Sequence, residues 1–295
     1  MNRIAVLLTS YNRKENTLKC LGSLQTAITR LSQNMHFDIF LVDDGSTDGT
    51  SVSIAKSFPE VKIINGSGNL FWSGGMRLAW QTSLSEIIDY DGYLLLNDDV
   101  VLQKDFFEKI LITHEYSLKK FGTSGIYSCA TKDPVIQNVS YGGGIIKKIL
   151  FFKKLKKILP GEEPQVINIA NANILLVTKN VVEKVGIIDE HYIHRFGDYD
   201  LTLRASKQNI PVLLCPGIGG FCSKNKIGFW MPQKSSLRER INYLYHPLGL
   251  SYNEQIYYLR KHFKFQLPYY FIMLWMKTLF PVLWKVFKLK EELRT

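Results

Sequence analysis

Apolar runs and amphipathic segments alternate along the first hundred residues of the chain. Short apolar runs bounded by polar residues are typical of buried strands, whereas apolar residues three and four positions apart are typical of helices. The pattern predicts four strands, at 3–9, 37–44, 61–66 and 92–99, and three helices, at 14–30, 49–58 and 75–88. Because strand and helix alternate with short connections, we expect an α/β fold with a mainly parallel sheet flanked by helices.

The rest of the chain follows a less regular pattern. It contains a strand-like run at 173–178 and a helix that opens in "GDYDLTLRASKQ", residues 197–208. We interpret residues 1–225 as one domain, because no repeat or low-complexity linker interrupts them. Residues 226–295 have a helical pattern and become strongly apolar and aromatic from 267 to 287, which predicts a helical C-terminal extension.

Composition narrows the classes of partner. With 295 residues, of which 46% are hydrophobic, the chain can bury a sizeable core, which favours a folded protein over a disordered one. A net charge of +11 favours an anionic partner, such as a phosphorylated substrate, nucleic acid or an acidic membrane surface. The four cysteines form no C-x-x-C pair, and the apolar run at 4–8 is too short for a secretory signal, so we expect a cytoplasmic protein.

Three acidic clusters stand where predicted strands end or a helix begins. Asp43 and Asp44 end the second predicted strand, Asp98 and Asp99 end the fourth, and a third pair lies in "GDYD". In doubly wound sheets, ligands bind at the carboxyl ends of the strands. Aspartates there can simply form turns, but clustered carboxylates repel one another unless a cation lies between them. A divalent cation that bridges carboxylate and substrate phosphate would remove that repulsion.

Six motifs occur in order along the chain: "LLTSYNR", "LVDDGSTDGT", "GNLFWSGGM", "LLLNDDV", "GIIDEHY" and "FGDYDLTLRA". Together they resemble the family 2 glycosyltransferases, and among these the rhamnosyltransferase-like enzymes of bacterial polysaccharide assembly. The resemblance covers about residues 1–225 and implies the Rossmann-like GT-A fold of nucleotide-diphosphosugar transferases. It assigns the nucleotide-sugar donor to residues 1–100 and the acceptor side to residues 101–225.

The activity that the resemblance implies is inverting transfer of a single sugar from a UDP- or dTDP-linked donor, with dTDP-rhamnose favoured by the subgroup. The acceptor would be a hydroxyl of a lipid-linked or oligosaccharide molecule. Asp99 would bind Mg²⁺ or Mn²⁺, Asp98 would lie near the donor ribose, and Thr9 and Asp44 would hold the pyrimidine base. Asn97 stands where the family has its first Asp, and its neutral carbonyl would bind a divalent cation less tightly.

A glycine-rich loop, "GSGNLFWSGGMRLAW", joins the third predicted strand to a helix. Gly74 and Gly75 would let the backbone approach a ligand closely, and a helix N-terminus favours phosphate. The resemblance places this loop against the donor. It thereby adds Asn69 and Arg77, together with Tyr11 of the first motif, to the implied donor-binding residues.

The third acidic cluster matches the family's catalytic motif. The resemblance implies that Asp198 is the base that takes the proton of the acceptor hydroxyl, although Gly197 replaces the usual Glu before it. The alternative is that Asp198 or Asp200 caps the helix that begins here. A His that many members carry downstream is missing from "PGIGGFCSKNKIGFW", where Cys222 lies near the expected place, so that role has no assigned residue.

Two segments, one basic and one apolar, indicate which partners the protein contacts. The stretch "KKILFFKKLKK", residues 147–157, is accompanied by no nucleic-acid-binding motif, which favours acidic lipid over nucleic acid. The apolar segment 267–287 suits a helix at the inner membrane surface, packing against the catalytic domain, or a homodimer contact, and a spanning helix is the weakest alternative. A different hypothesis for the whole chain is a catalytically inactive nucleotide-binding scaffold in a polysaccharide assembly complex.

Overall fold

A computed structural model of the chain describes residues 1–31, 34–149, 152–223 and 235–283, with the side chains of 148, 149, 152 and 153 left out. The strands are β1 Arg3–Ser10, β2 His36–Asp43, β3 Lys62–Asn65, β4 Gly92–Leu96, β5 Val101–Leu102, β6 Ile126–Lys132, β7 Val139–Tyr141, β8 Gly143–Ile149, β9 Phe152–Ile158, β10 Gln165–Val166, β11 Ile169–Ala170, β12 Ile174–Thr178 and β13 Val212–Phe221. The α-helices are α1 Lys14–Arg30, α2 Thr50–Ser57, α3 Phe71–Ser85, α4 Phe106–Phe121, α5 Lys179–Val185, α6 Gly197–Lys207, α7 Leu237–Tyr245, α8 Tyr252–His262 and α9 Leu267–Leu279, and a short 3-10 helix covers Lys264–Gln266.

The central sheet has the strand order β10-β13-β6-β12-β4-β1-β2-β3, with β5 on β13 and β7 on β6. Four of its neighbouring pairs are parallel: β1 with β2, β1 with β4, β2 with β3, and β6 with β13. Strand β12 runs antiparallel to both of its neighbours, β4 and β6. The predicted α/β fold with a mainly parallel sheet is confirmed, and the antiparallel insertion of β12 joins its two halves.

Strand β1 shows why this sheet is covered on both faces. Ala5 and Leu7 belong to one hydrophobic core, while Ile4, Val6 and Leu8 belong to a second core on the other side. Successive side chains of a strand point to opposite faces, so a continuous apolar run buries itself only between two layers of helices. The apolar runs that predict strands therefore also predict the layering.

Helix α3 begins at Phe71, four residues before the predicted start. The backbone N–H groups of Leu70 and Phe71 donate to the carboxylate of Asp44, at 2.8 and 3.0 Å. A carboxylate 26 residues earlier in the chain thus caps this helix in place of a local N-cap residue, because it accepts N–H groups that have no partner within the helix. Gly74 and Gly75 consequently lie inside the helix.

The last helices form a compact layer with a small core of its own, made by Leu244, Ile256 and Leu274. Tyr258 of α8 belongs instead to the main core of the sheet domain. The basic stretch forms the β8–β9 hairpin, which pairs with β11 in a separate three-stranded sheet. No helix within the described ranges is both long and apolar enough to cross a membrane. The predicted boundary at 225 falls within residues 224–234, which lie outside the described residues, as does the end of the apolar segment.

Candidate active site

The carboxyl ends of β1, β2 and β4 meet at one edge of the sheet. Strand β1 lies between the other two, and its last residue, Ser10, pairs in register with Asp43. The turn from Asn97 to Asp99 follows β4 directly. The first two acidic clusters of the sequence therefore stand at the same edge of the sheet, as parallel strands require.

Arg13 holds the two carboxylates of the β4 turn together. Its Nη1 lies 3.0 Å from Oδ1 of Asp98 and 2.9 Å from Oδ2 of Asp99. Asp98 is buried, and Thr17 donates to its second oxygen at 3.4 Å. Burial raises the pKa of the Asp98 carboxyl above its usual value, and the charge of Arg13 opposes that rise. Two carboxylate oxygens thus contact one nitrogen of the positively charged Arg13 guanidinium.

The other two residues around this turn have different partners. Oδ1 of Asn97 accepts the indole N–H of Trp72 at 2.7 Å, so this oxygen anchors the start of α3. The thiol of Cys222 lies 3.4 Å from Oδ1 of Asp99, and burial raises its pKa well above the usual range. The cysteine near the expected histidine position therefore contacts the carboxylate that the resemblance assigns to the metal.

The carboxylate oxygens of this turn are of the ligand type that a hard divalent cation takes. Asp98 and Asp99 offer oxygen atoms to a shared positive charge, and the side chain of Asp99 keeps 21% of its surface exposed. Among the described residues, no group of three or more His, Cys, Asp and Glu side chains is arranged to hold a metal ion. A cation here would take its remaining ligands from water and substrate phosphate, as Mg²⁺ commonly does.

The carboxylate of Asp44 accepts hydrogen bonds from the backbone of the glycine-rich loop. In addition to the N–H groups that open α3, the carboxylate accepts the N–H of Gly68 at 2.8 Å. Thr9 at the end of β1 packs against Gly75, where any Cβ would collide with the threonine side chain. Asp44 therefore holds the loop predicted to face the donor, and Thr9 packs against the helix α3 that follows this loop. Direct contact of either residue with a base stays a prediction.

The remaining predicted donor residues are more dispersed. Tyr11 and Asn69 are exposed at this edge of the sheet. Arg77, on α3, donates to the backbone carbonyls of Asp189 and Tyr192, at 3.2 and 3.0 Å. Its guanidinium thus tethers the loop before α6, and a contact with the donor stays a prediction.

Asp198 lies in the first turn of α6. Its carboxylate accepts the backbone N–H groups of Ala172 and Tyr199, at 3.0 and 2.8 Å. Burial raises the pKa of Asp198 to about 6, although these hydrogen bonds favour the ionised form. A Cβ at Gly197 would meet Oγ of Ser73 on α3, so glycine at this position allows the two helices to approach closely.

Two consecutive residues connect Asp198 to the acidic turn of β4. Ala172 donates its N–H to Asp198, and the carbonyl of the next residue, Asn173, accepts the N–H of Asn97 at 3.0 Å. The side chain of Asn173 also donates to the thiol of Cys222. Since neighbouring Cα atoms are about 3.8 Å apart, one short backbone segment links Asp198 to the start of the β4 turn.

Asp200 has a different environment from Asp198. It is fully buried, and its carboxylate contacts Arg204 at 2.7 Å, His262 at 2.7 Å and Lys261 at 2.9 Å. No side-chain cap forms at the start of α6. Asp200 therefore supports the packing of α8 against α6.

The sequence motifs alone did not assign a role to Arg13, Lys261 or His262, which contact acidic residues of the site and of its surroundings. Arg13 ends the quoted motif "LLTSYNR", and its position just beyond β1 is a signal that could have identified it. Lys261 and His262 lie more than 60 residues after the acids that they contact, and no local pattern indicates that pairing.

The chain is similar to known proteins in part of its sequence and in its fold. Residues 5–139 match the family model described as Glycosyl transferase family 2. The mannosyltransferase PcManGT from Pyrobaculum calidifontis, solved in complex with GDP-Man and Mn²⁺, shares 13% identity at a TM-score of 0.50, over 83% of this chain and 61% of that chain. TarS from S. aureus shares 13% identity at a TM-score of 0.48, over 76% of this chain and 60% of that chain. No curated protein sequence matches the chain.

The structural likeness concerns the fold. At 13% identity, the similarity to the mannosyltransferase shows a shared architecture, and with the family match it confirms the predicted GT-A fold. The chain spans about three fifths of the length of the two solved chains.

Proposed function

We propose that this chain, whose residues 5–139 match the family model of glycosyl transferase family 2, transfers a single sugar from a nucleoside-diphosphate sugar to a hydroxyl of an acceptor. The supporting observation is the Ala172–Asn173 link, which connects a carboxylate with a pKa of about 6 to the turn that carries Asp98 and Asp99. Such a site combines a base with a place for a diphosphate.

In the proposed reaction Asp198 acts as the base. The acceptor hydroxyl gives its proton to the Asp198 carboxylate while its oxygen bonds to the anomeric carbon, and the bond from that carbon to the diphosphate oxygen breaks. Attack opposite the leaving group inverts the anomeric centre. A group with a pKa of about 6 is ionised at neutral pH and still basic enough to accept the proton.

The diphosphate would leave toward the turn after β4. Arg13 offers a guanidinium there, and Asp99 would hold Mg²⁺ or Mn²⁺, which when bound supplies positive charge to the departing diphosphate. Asp98 keeps Arg13 in place from its buried position. A pyrimidine nucleotide, and dTDP-rhamnose in particular, is the donor that the resemblance of the motifs favours.

A cavity beside α6 is the proposed acceptor site. It has a volume of about 200 Å³, and its lining includes Phe196, Tyr199, Tyr258 and Gln255. Tyr199 directly follows the proposed base in α6, and the proposal requires the reacting hydroxyl of an acceptor to extend from this cavity to Asp198. Aromatic faces bind the apolar faces of sugars and lipid chains, and an amide can bind hydroxyls. This composition suits a lipid-linked or oligosaccharide acceptor.

Nucleotide titration tests the donor half of the proposal. UDP, dTDP, GDP and ADP would be titrated calorimetrically, with and without Mn²⁺, into the wild type, Asp99→Asn and Asp89→Asn. Asp89 is an exposed aspartate near the opposite end of β4, where it pairs with Lys179, and serves as the matched control. We expect binding of the pyrimidine diphosphates that Mn²⁺ strengthens, and loss of that strengthening only in Asp99→Asn. Absence of binding by all four nucleotides would refute the donor site.

A further inference from the structure

Glu254, on α8, accepts three consecutive backbone N–H groups. Its Oε2 lies 3.0 Å from the nitrogen of Ile193, 2.9 Å from that of His194 and 2.8 Å from that of Arg195. The side chain is buried, with 4% of the residue exposed. A buried carboxylate needs such donors to replace water, and a loop that supplies three is fixed by them. The C-terminal extension therefore determines the position of loop 193–195.

The same loop holds the start of α3. The carbonyl of Ile193 accepts the backbone N–H groups of Ser73 and Gly74, at 2.9 and 3.2 Å. This carbonyl and the N–H of His194 belong to one planar peptide group. A single rigid unit thus joins Glu254 on one side to the first turn of α3 on the other. Trp72, which contacts Asn97 of the acidic turn, lies directly before the two N–H groups that this carbonyl accepts.

The loop also leads into the turn that carries the proposed base. Phe196 has φ of 65°, a left-handed conformation that is unfavourable for a phenylalanine. Its ring stacks on Tyr258, with centroids 4.9 Å apart and planes 18° apart. Tyr258 lies four residues after Glu254, hence on the same face of α8. Helix α8 therefore holds the backbone before Asp198 by a carboxylate and by an aromatic ring.

We propose that Glu254 is a positioning residue of the active site. It sets the geometry between the start of α3, on the donor side, and the turn of Asp198, on the acceptor side. The C-terminal extension is then a working part of the site as well as a packing layer. This inference rests on the proposed function for its catalytic consequence, whereas the mechanical link through Ile193 can be measured without any substrate.

Three variants separate this role from a general effect on stability. Glu254→Gln keeps the size of the side chain and one acceptor oxygen but removes the charge. Glu254→Ala removes the acceptor. Asn253→Ala changes the exposed neighbour on the same helix and is the matched control. Folding of each variant would be checked by thermal unfolding before any other measurement.

The first readout is hydrogen exchange in the segments 70–77 and 190–197. We expect the amides of Ile193 to Arg195 to exchange about tenfold faster or more in Glu254→Ala, and less so in Glu254→Gln. The amides of Ser73 and Gly74, which Glu254 does not touch, should accelerate with them. Asn253→Ala should match the wild type. Acceleration confined to 193–195 would overturn the inference, and Glu254→Gln alone decides if Glu254→Ala does not fold.

The second readout is kinetic. Among variants that remain folded, we expect kcat for sugar transfer to fall in the order wild type, Glu254→Gln, Glu254→Ala, with a smaller change in KM for the donor. A residue that only stabilises the fold would leave kcat per folded molecule unchanged, and that result would also overturn the inference. If the wild type transfers no sugar, the proposed function fails, but the exchange experiment still tests the link through Ile193.

Discussion

Asp198 and Asp200 lie two residues apart on α6 in opposite electrostatic surroundings. Burial raises the pKa of Asp198 to about 6, and the hydrogen bonds from the backbone N–H groups of Ala172 and Tyr199 oppose that rise only in part. Burial alone would also raise the pKa of Asp200, but hydrogen bonds from His262 and Lys261 and the charge of Arg204 lower it to about 2. One aspartate is thus prepared to exchange a proton near neutral pH, and the other remains a fixed negative charge.

The role of Asp200 can be tested by its effect on stability. We expect Asp200→Asn to lower the free energy of unfolding at pH 7 by about 3 kcal/mol or more, because Arg204 and Lys261 lose a buried partner. Urea denaturation measures this change, and Asp89→Asn serves as an exposed control. Because folding lowers the pKa of Asp200, its contribution is present above the unfolded value of about 4 and is lost as pH falls toward 2. A variant as stable as the wild type would contradict the supporting role.

At the scale of elements, apolar patterns predicted most of the first half correctly. The strand expected at 3–9 and the helix expected at 14–30 correspond to β1 and α1, whose signals are local. The start of α3 differed because Asp44, distant in sequence, caps that helix. The antiparallel placement of β12 was equally unpredictable, since strand order depends on packing between segments that share no local signal.

Local sequence signals likewise indicated some residues of the candidate site and not others. Motifs pointed to Asp98, Asp99 and Asp198 by their positions at the ends or starts of elements, and the backbone of Ala172 and Asn173 connects Asp198 to the turn of the other two. Arg13 has a signal in its position just beyond β1, whereas the contacts of Glu254 depend on tertiary packing and no spacing rule in the sequence indicates them. Sequence therefore predicts the candidate chemical groups better than it predicts what positions them.

The hydrogen bonds between Asp44 and the glycine-rich loop can be tested by their effect on nucleotide binding. We expect Asp44→Asn to weaken binding of the pyrimidine diphosphate about tenfold or more, because an amide offers one acceptor oxygen where the carboxylate offers two to Gly68, Leu70 and Phe71. Calorimetric titration measures the affinity, and Asp48→Asn, which alters a nearby exposed turn, is the control. Equal affinities in Asp44→Asn and the wild type would show that the loop geometry does not depend on this carboxylate.

At the scale of the whole molecule, charge and apolar surface are unevenly distributed. The β8–β9 hairpin has three exposed lysines on one face, Lys147, Lys154 and Lys156. Lys147 pairs directly with Lys154, and Lys156 lies two residues further along the same strand, so the three side chains point to the same side. On α9, Phe271 and Ile272 are about half exposed. We propose that these two surfaces contact an acidic membrane, to which a lipid-linked acceptor would also belong.

Vesicle binding tests this proposal. We expect the protein to cosediment with vesicles that contain anionic lipid but weakly with neutral vesicles, and salt should reduce the binding. Replacement of Lys147, Lys154 and Lys156 by Gln should weaken the binding about 100-fold, since each lysine near such a surface contributes about 1 kcal/mol. The same triple replacement should leave nucleotide affinity unchanged. Equal binding to neutral and anionic vesicles would contradict an electrostatic contact.

The most direct test of the central claim, that Asp198 is the base of a sugar transfer, is the pH dependence of turnover in the wild type and in Asp198→Asn. Nucleoside diphosphate release would be followed from a panel of UDP- and dTDP-sugars. The wild-type rate should fall below about pH 6, where Asp198 becomes protonated. Asp198→Asn should be slower by about 10² to 10⁴ and should lack that transition, with nucleotide affinity unchanged. Equal rates and equal pH profiles in the two proteins would contradict the assignment of Asp198 as the base.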